Sequence, residues 1–210
     1  MHPFRDKLPV RRTIPTRNPT KDWTLHKPDL KIDFNGHCAY CDSYDGFRHT
    51  YFEVDHFVPK DFIKRIAGKI GLAQYSNLVY ACKFCNNNKL DNWPSRSEII
   101  YNDGKIGFVD PCDAAYDTHF YRMHDGGIMW ETELGKWMFA EAFKFDERYD
   151  SIKLLWNLNR IRKVLEQLKV ELNKYQKSSG GYILILEKMK EYSFDYTFFH
   201  TELIEYYGSV

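Results

Sequence analysis

The sequence lacks any long hydrophobic run. No stretch approaches the roughly 20 apolar residues that a membrane-spanning helix needs, and the opening Met-His-Pro-Phe-Arg-Asp-Lys contains no apolar core of a secretory signal. An excess of charge of one sign is also missing, because 30 lysines and arginines oppose 29 aspartates and glutamates, a net charge of +1. Overall charge therefore gives no indication of a nucleic-acid partner. We expect a cytoplasmic protein that does not interact with a membrane.

Cysteine is scarce, but its placement is informative. Four of the five cysteines form two Cys-x-x-Cys pairs, Cys38 with Cys41 and Cys82 with Cys85. In a reducing compartment such pairs bind metal more often than they form disulfides. Each pair supplies two thiolates, so the sequence predicts one structural Zn²⁺ held tetrahedrally by all four. Cys112 belongs to neither pair; a small buried apolar side chain is the default interpretation, and a reactive thiol is the alternative.

Proline and positive charge are concentrated at the start of the chain. Residues 1–31 hold five of the eight prolines and eight lysines and arginines against three acids. This composition predicts an extended basic arm with little regular structure. Two interpretations stay open, a solvated polar leader and an arm that follows a phosphate backbone.

Residues 32–150 are mixed in pattern and rich in loops. Alternating residues predict a half-buried strand at 51–56, and a second short strand is expected at 78–80. A short helix is expected at 83–90, a helical turn at 61–67, and a hairpin at 120–130 that turns at 124–127. Because two short strands are not stable alone, we expect zinc to clamp the ends of the segment between the cysteine pairs.

Residues 151–210 have a helical pattern. Apolar side chains recur at steps of three and four in a heptad stripe: Leu154, Leu158, Ile161, Leu165, Leu168 and Leu172. The 178–181 Ser-Ser-Gly-Gly segment ends this helix, and two further helices are expected at 182–192 and 195–207. An ordinary helical bundle is one interpretation. The other is a surface for self-association, as a homo-oligomer, or for a partner protein.

Polar residues typical of a hydrolytic metal site lie between and beside the cysteine pairs. Asp55 and His56 end the first predicted strand, Asn77 precedes the second, and Asn86 follows Cys85 directly. As a set, these residues resemble the HNH endonuclease family, in the subgroup with zinc-binding Cys-x-x-Cys pairs. The resemblance covers residues 36–94, and Asn86 stands where the founding pattern has histidine.

The resemblance implies a fold and a role for each residue. The fold would be α+β, a zinc-stabilised ββα-metal (HNH) nuclease core with a C-terminal helical region. His56 would be the general base, since imidazole titrates near neutral pH. Asp55 and Asn86 would bind a catalytic Mg²⁺ or Mn²⁺, which prefer oxygen ligands. Asn77 would brace the finger, and Lys89 would contact a phosphate.

Three points at the site stay open in the sequence. Adjacent strand residues point to opposite faces, so Asp55 and His56 can converge only if the strand twists or ends there. Asn86 has amide neighbours at 87 and 88, so the assignment can be one residue out, and a helix-capping role is the alternative. Glu53 is close enough along the strand to reach a metal, but we do not assign it.

The chain also resembles, more loosely, small bacterial HNH nucleases of Septu-like or Zorya-like antiviral systems. The segment Gly-Phe-Val-Asp-Pro-Cys at 107–112, followed by helices, carries this resemblance. It implies DNA as substrate and an ATPase or other defence subunit as partner. We therefore predict a metal-dependent DNA endonuclease. The alternative is a zinc-stabilised nucleic-acid-binding or assembly module without cleavage, which would need only the cysteines.

Overall fold

The computed structural model describes residues 1–19, 21–66 and 69–209. The chain divides into two compact units, Met1–Arg148 and Tyr149–Val210. No helix in these ranges combines the length and the apolar character needed to cross a membrane. The predicted mixed architecture, with a small zinc-knuckle finger and a helical C-terminal region, is confirmed.

The first unit contains two small sheets and four short α-helices. In chain order these elements are β1 (His2–Pro3), α1 (Lys27–Asp33), β2 (Phe52–His56), α2 (Lys60–Ile66), β3 (Leu78–Cys82), α3 (Lys83–Lys89), β4 (Phe120–Arg122), β5 (Ile128–Trp130) and α4 (Glu133–Trp137). Short 3₁₀ turns lie at Trp23–His26, Asp45–Phe47, Tyr75–Asn77, Ala114–His119 and Phe145–Glu147, and a π-turn at Met138–Ala142.

The finger is an antiparallel hairpin followed at once by a helix. β2 pairs with β3 so that Phe52 lies opposite Cys82 and His56 opposite Leu78. α3 begins at the residue after β3, which places Cys85 on the first turn of the helix. Both predicted strands and the predicted short helix are present, and β3 extends two residues further than expected, to Cys82.

The second sheet holds the start of the chain in place. β1 pairs with β4, and β4 pairs with β5 around the predicted turn. The guanidinium of Arg122, 2% exposed, donates to the carbonyl oxygens of Phe4, Gly126 and Cys41. One buried side chain therefore joins the N-terminal segment, the β4–β5 turn and the first cysteine pair.

The N-terminal segment differs from the extended arm that its composition predicts. α1 begins inside it, and its arginines bind within the protein. Arg11 donates to both carboxylate oxygens of Asp110, at 2.9 Å. Arg12 donates to Asp33 and Asp29 at 2.8 and 2.7 Å. Asp110 lies 99 residues further along the chain, and composition does not reveal any of these pairings. Both arginines are already engaged within the protein.

The second unit is a pair of packed helices, α5 (Ser151–Leu172) and α6 (Gly180–Gly208). Leu158 and Ile161 of the predicted stripe are buried, and its other four members are half-buried. The prediction of two separate helices after residue 181 is wrong, because α6 is continuous. Its polar residues do not break it: the Ser193 hydroxyl donates to the Met189 carbonyl at 2.7 Å, satisfying the side chain inside the helix.

Candidate active site and zinc centre

The four cysteines of the two pairs converge at one end of the finger. Their sulfur atoms all lie within 4.8 Å of one another, and every side chain is buried. The Sγ atoms of Cys41 and Cys82 are 3.7 Å apart, as expected for the edge of a small tetrahedron around zinc. The backbone N–H of Cys82 also donates to the sulfur of Cys38, at 3.3 Å. The donor set and its geometry fit a structural zinc ion.

Arg148 supplies positive charge to this cluster. Its guanidinium nitrogens lie 3.8 Å from the sulfur of Cys85 and 4.0 Å from that of Cys82. Burial opposes the charge of Arg148, but the nearby thiolates outweigh burial and raise its pKa above the ordinary value. Because Zn²⁺ with four thiolates carries a net charge of −2, a buried cation beside it reduces the cost of burying that charge. Sequence reasoning did not find Arg148, which lies 63 residues after Cys85.

The carboxylate of Asp55 is fixed from two directions. The hydroxyl of Tyr40 donates to its Oδ2 atom at 2.6 Å, and the ammonium of Lys89 lies 3.2 Å from the same oxygen. Among the described residues, both contacts fall on Oδ2, which leaves Oδ1 for a cation. Tyr40 lies between the zinc ligands Cys38 and Cys41, so the zinc knuckle itself orients this acid.

Lys89 has a different environment from the one that the resemblance implies. Its side chain is fully buried, at 0% exposed, and its ammonium also donates to the carbonyl of His56 at 2.8 Å. Burial lowers its pKa, although Asp55 acts in the opposite direction. The expected phosphate contact does not fit this position. Lys89 instead ties together the backbone of His56 and the carboxylate of Asp55.

The imidazole of His56 is oriented by the loop before β3. Its Nε2 atom lies 2.8 Å from the carbonyl oxygen of Leu72. Because a carbonyl only accepts, Nε2 carries the proton, and in the neutral ring Nδ1 keeps its lone pair. Burial lowers the pKa of His56, with the Leu72 bond acting against it. In its neutral form this ring can accept a proton at Nδ1.

Asn77 braces the turn that follows His56. Its Oδ1 atom accepts from the backbone N–H of Val58 at 2.8 Å, and its Nδ2 atom donates to the Val58 carbonyl at 3.0 Å. The Asn77 carbonyl accepts from the N–H of Phe57 at 2.8 Å. These contacts are the kind that the predicted bracing role requires, and they end β2 at His56.

Asn86 faces the finger from α3 and is held by Glu53. The amide nitrogen of Asn86 donates to Oε2 of Glu53 at 2.7 Å. The amide oxygen of Asn86 has no partner among the described residues. It is therefore the atom of this side chain that a cation could bind. Glu53 and Tyr40 are the orienting residues that sequence reasoning did not assign. The spacing of two between Glu53 and Asp55, which puts them on one strand face, was the available signal.

Asp55, His56 and Asn86 meet in one cleft of about 500 Å³. Trp23 also lines it, and its ring contacts that of His56 with centroids 4.9 Å apart. Adjacent strand residues reach the same cleft because β2 ends at His56. One carboxylate, one amide and one imidazole therefore belong to residues that line a single space. Oxygen ligands of this kind fit Mg²⁺ or Mn²⁺, with the remaining positions left to water or substrate.

Comparisons with known proteins agree with this geometry. Residues 38–92 match the family model described as HNH endonuclease. The chain is 27% identical over 203 residues to the Septu protein PtuB of Bacillus mycoides (strain KBAB4), a match covering 84% of this chain and 64% of that protein. It is 32% identical over 80 residues to the Septu protein PtuB of Bacillus thuringiensis, a match covering 36% of this chain and 29% of that protein.

The chain thus spans less than two thirds of the length of these relatives. No solved structure matches it. The predicted resemblance to zinc-binding HNH nucleases, and to Septu-like proteins in particular, is confirmed. Over residues 38–92 the chain is similar to HNH endonucleases, and over most of its length it is similar to a Septu protein.

Proposed function

We propose that this protein is a divalent-metal-dependent endonuclease that hydrolyses phosphodiester bonds of DNA in bacterial anti-phage defence. The observation that carries the proposal is the convergence of Asp55, His56 and Asn86 on one cleft, inside the segment that matches the HNH endonuclease model. The defence role is supported by the similarity to Septu proteins. A cytoplasmic location and a defence-system ATPase as partner belong to the same proposal.

The chemistry follows from the groups in the cleft. Nδ1 of His56 accepts a proton from the attacking water, and the Leu72 carbonyl holds the ring in the required tautomer. Oδ1 of Asp55 and the amide oxygen of Asn86 would hold Mg²⁺ or Mn²⁺. When bound, such an ion neutralises charge on the phosphate and the leaving oxygen. Tyr40, Lys89 and Glu53 keep these ligands in position, and Asn77 fixes the backbone beside the base.

The proposal is tested with supercoiled plasmid. Wild type, His56→Ala and the control His124→Ala, an exposed histidine in the β4–β5 turn, are each incubated with Mg²⁺, with Mn²⁺ or without added divalent metal. We expect nicked or linear product from wild type and His124→Ala only when metal is added. His56→Ala should lower the rate at least ~100-fold, the usual contribution of a general base.

Equal cleavage by His56→Ala would remove this residue from the mechanism. If none of the three proteins cut DNA, alone or with a co-purifying partner, the proposed activity would be wrong. The alternative, a zinc-stabilised nucleic-acid-binding or assembly module, would then stand, because it predicts salt-dependent DNA binding that is indifferent to His56→Ala.

A further inference from the structure

A second cavity, of about 630 Å³, lies beside the cleft in the first unit. Three basic side chains line it: Lys27 and Lys31 from α1, and Arg48 from the loop before β2. The one acid in its lining, Asp45, accepts from the ammonium of Lys31 and the hydroxyl of Tyr80, and these contacts lower its pKa. Lys27 and Arg48 are exposed and form no ion pair among the described residues. The cavity therefore keeps a positive charge of two.

The two cavities share the same two walls. One wall is the segment 23–31, with Trp23 in the cleft and Lys27 and Lys31 in the second cavity. The other wall is β2 and the residue before it, with Val54 to His56 in the cleft and Tyr51 and Phe52 in the second cavity. At about 3.3 Å per strand residue, Tyr51 lies roughly 13 Å from Asp55 along the chain. That distance corresponds to about four base steps of DNA at 3.4 Å each.

The lining has both of the groups that a DNA strand requires. Lys27 and Lys31 are about one helical turn apart on α1, about 6 Å along its axis, which places them on one face of the helix. Tyr51 is 78% exposed, which is unusual for so large a ring, and leaves a face for a base to stack on. Cations along a groove with an aromatic ring beside them are typical of sites that bind nucleic-acid strands.

We propose that this cavity is a second DNA-binding site, which holds the substrate strand about four nucleotides from the cut. Lys27 and Arg48 contact phosphates, and Tyr51 stacks on a base. The site rests on the proposed nuclease function and extends it, because it assigns a substrate contact to a surface outside the metal site.

The test measures DNA binding, in a His56→Ala background so that the DNA is not cut. Lys27→Glu with Arg48→Glu is compared with Lys105→Glu with Lys136→Glu, two exposed lysines that line neither cavity, so that net charge changes equally. We expect the first pair to weaken binding roughly tenfold and to reduce the slope of log K against log salt by about 1.5. The control pair should change both the DNA affinity and the salt slope by less.

A second measurement does not depend on charge reversal. A photo-crosslinking amino acid at Tyr51 should attach to bound DNA, and one at Tyr207, exposed on α6, should not. If DNA binds but both double variants bind it alike and position 51 gives no crosslink, this site is refuted while the nuclease proposal stands. If the His56→Ala protein binds no DNA and wild type cuts none, both proposals fail together.

Discussion

At the scale of single residues, Tyr40 joins the two metal-binding features of the finger. It lies between two zinc ligands, is fully buried, and holds the carboxylate that we assign to the catalytic ion. Its own backbone carbonyl accepts from the hydroxyl of Tyr116 at 2.8 Å. The sequence motif predicted Asp55 and the cysteines as metal ligands, because their spacing along the chain is part of the motif. Tyr40, Glu53 and the changed role of Lys89 depend on contacts across segments, which spacing does not carry.

Tyr40→Phe removes only the hydroxyl that orients Asp55. We expect the fold to persist and affinity for Mn²⁺ to fall by roughly tenfold, the lower end of the range for a group that orients a metal ligand. Calorimetric titration with Mn²⁺ measures this. The control is Tyr75→Phe, which also loses one hydroxyl–carboxylate bond, to Asp33 at 2.7 Å, away from the cleft. Equal affinity in the two variants would contradict the role of Tyr40.

Asp29 makes stability depend on pH. Its carboxylate is buried and accepts from the N–H and hydroxyl of Thr16 and from Arg12. Burial works against ionisation, but these donors prevail and lower the pKa of Asp29. Because the folded pKa is the lower one, the stabilising effect is fully present above the unfolded value of about 3.9. It declines as the pH falls from there and is lost as the pH passes through the lowered folded pKa.

Asp29→Asn should therefore destabilise the protein at pH 7 by about 1–3 kcal/mol, the range for charged hydrogen bonds. The difference from wild type should shrink as the pH falls below about 4. Urea unfolding followed by fluorescence at pH 7, 5 and 3.5 measures both. A difference between the two proteins that stays constant over this range would show that the charge of Asp29 is not responsible.

At the scale of elements, the finger is two five-residue strands and a seven-residue helix, too little to stay folded alone. The strand–strand–helix order of the finger could be predicted, because the alternation of apolar and polar residues, the cysteine spacing and the polar residues between the elements all indicate the same elements. The continuity of α6 could not be predicted, because the bond from the Ser193 hydroxyl to the Met189 carbonyl within the helix is visible only in the structure. The contacts of the N-terminal segment could not be predicted for a related reason, since Arg11 binds an acid 99 residues further along the chain.

Removing zinc should unfold the finger. We expect one zinc per chain in wild type and in Cys112→Ser, and none in Cys82→Ser, which loses one of the four ligands. Cys82→Ser should lower the free energy of unfolding by more than about 4 kcal/mol, the level reached when a metal site is lost. Metal analysis and thermal unfolding by circular dichroism report this. Full zinc content in Cys82→Ser would contradict the four-cysteine assignment.

At the scale of the whole molecule, the second unit has an unusually apolar outer surface. On α6, Phe194 is 74% exposed, Phe198 55% and Ile204 60%. The inner face of the same helix packs on α5, so these side chains form a second face. Exposed apolar groups in a row are typical of interaction surfaces. Of the two interpretations that the heptad stripe left open, this face favours association.

Phe194→Glu with Phe198→Glu should reduce association, with itself or with a co-purified subunit, and leave plasmid cleavage unchanged. The control, Gln167→Glu with Gln176→Glu, places the same charge at exposed polar positions of the unit. Light scattering coupled to size-exclusion chromatography compares the masses. A wild type that is monomeric and brings no partner through purification would refute the association.

The contact between Arg148 and the cysteine cluster has a consequence for how the protein is made. The ribosome releases the zinc ligands by residue 85, but their guanidinium partner emerges only with the last residue of the first unit. At ordinary rates of translation this delay is on the order of seconds. Until residue 148 is synthesised, the cysteine cluster lacks the buried cation that lies beside it in the folded protein.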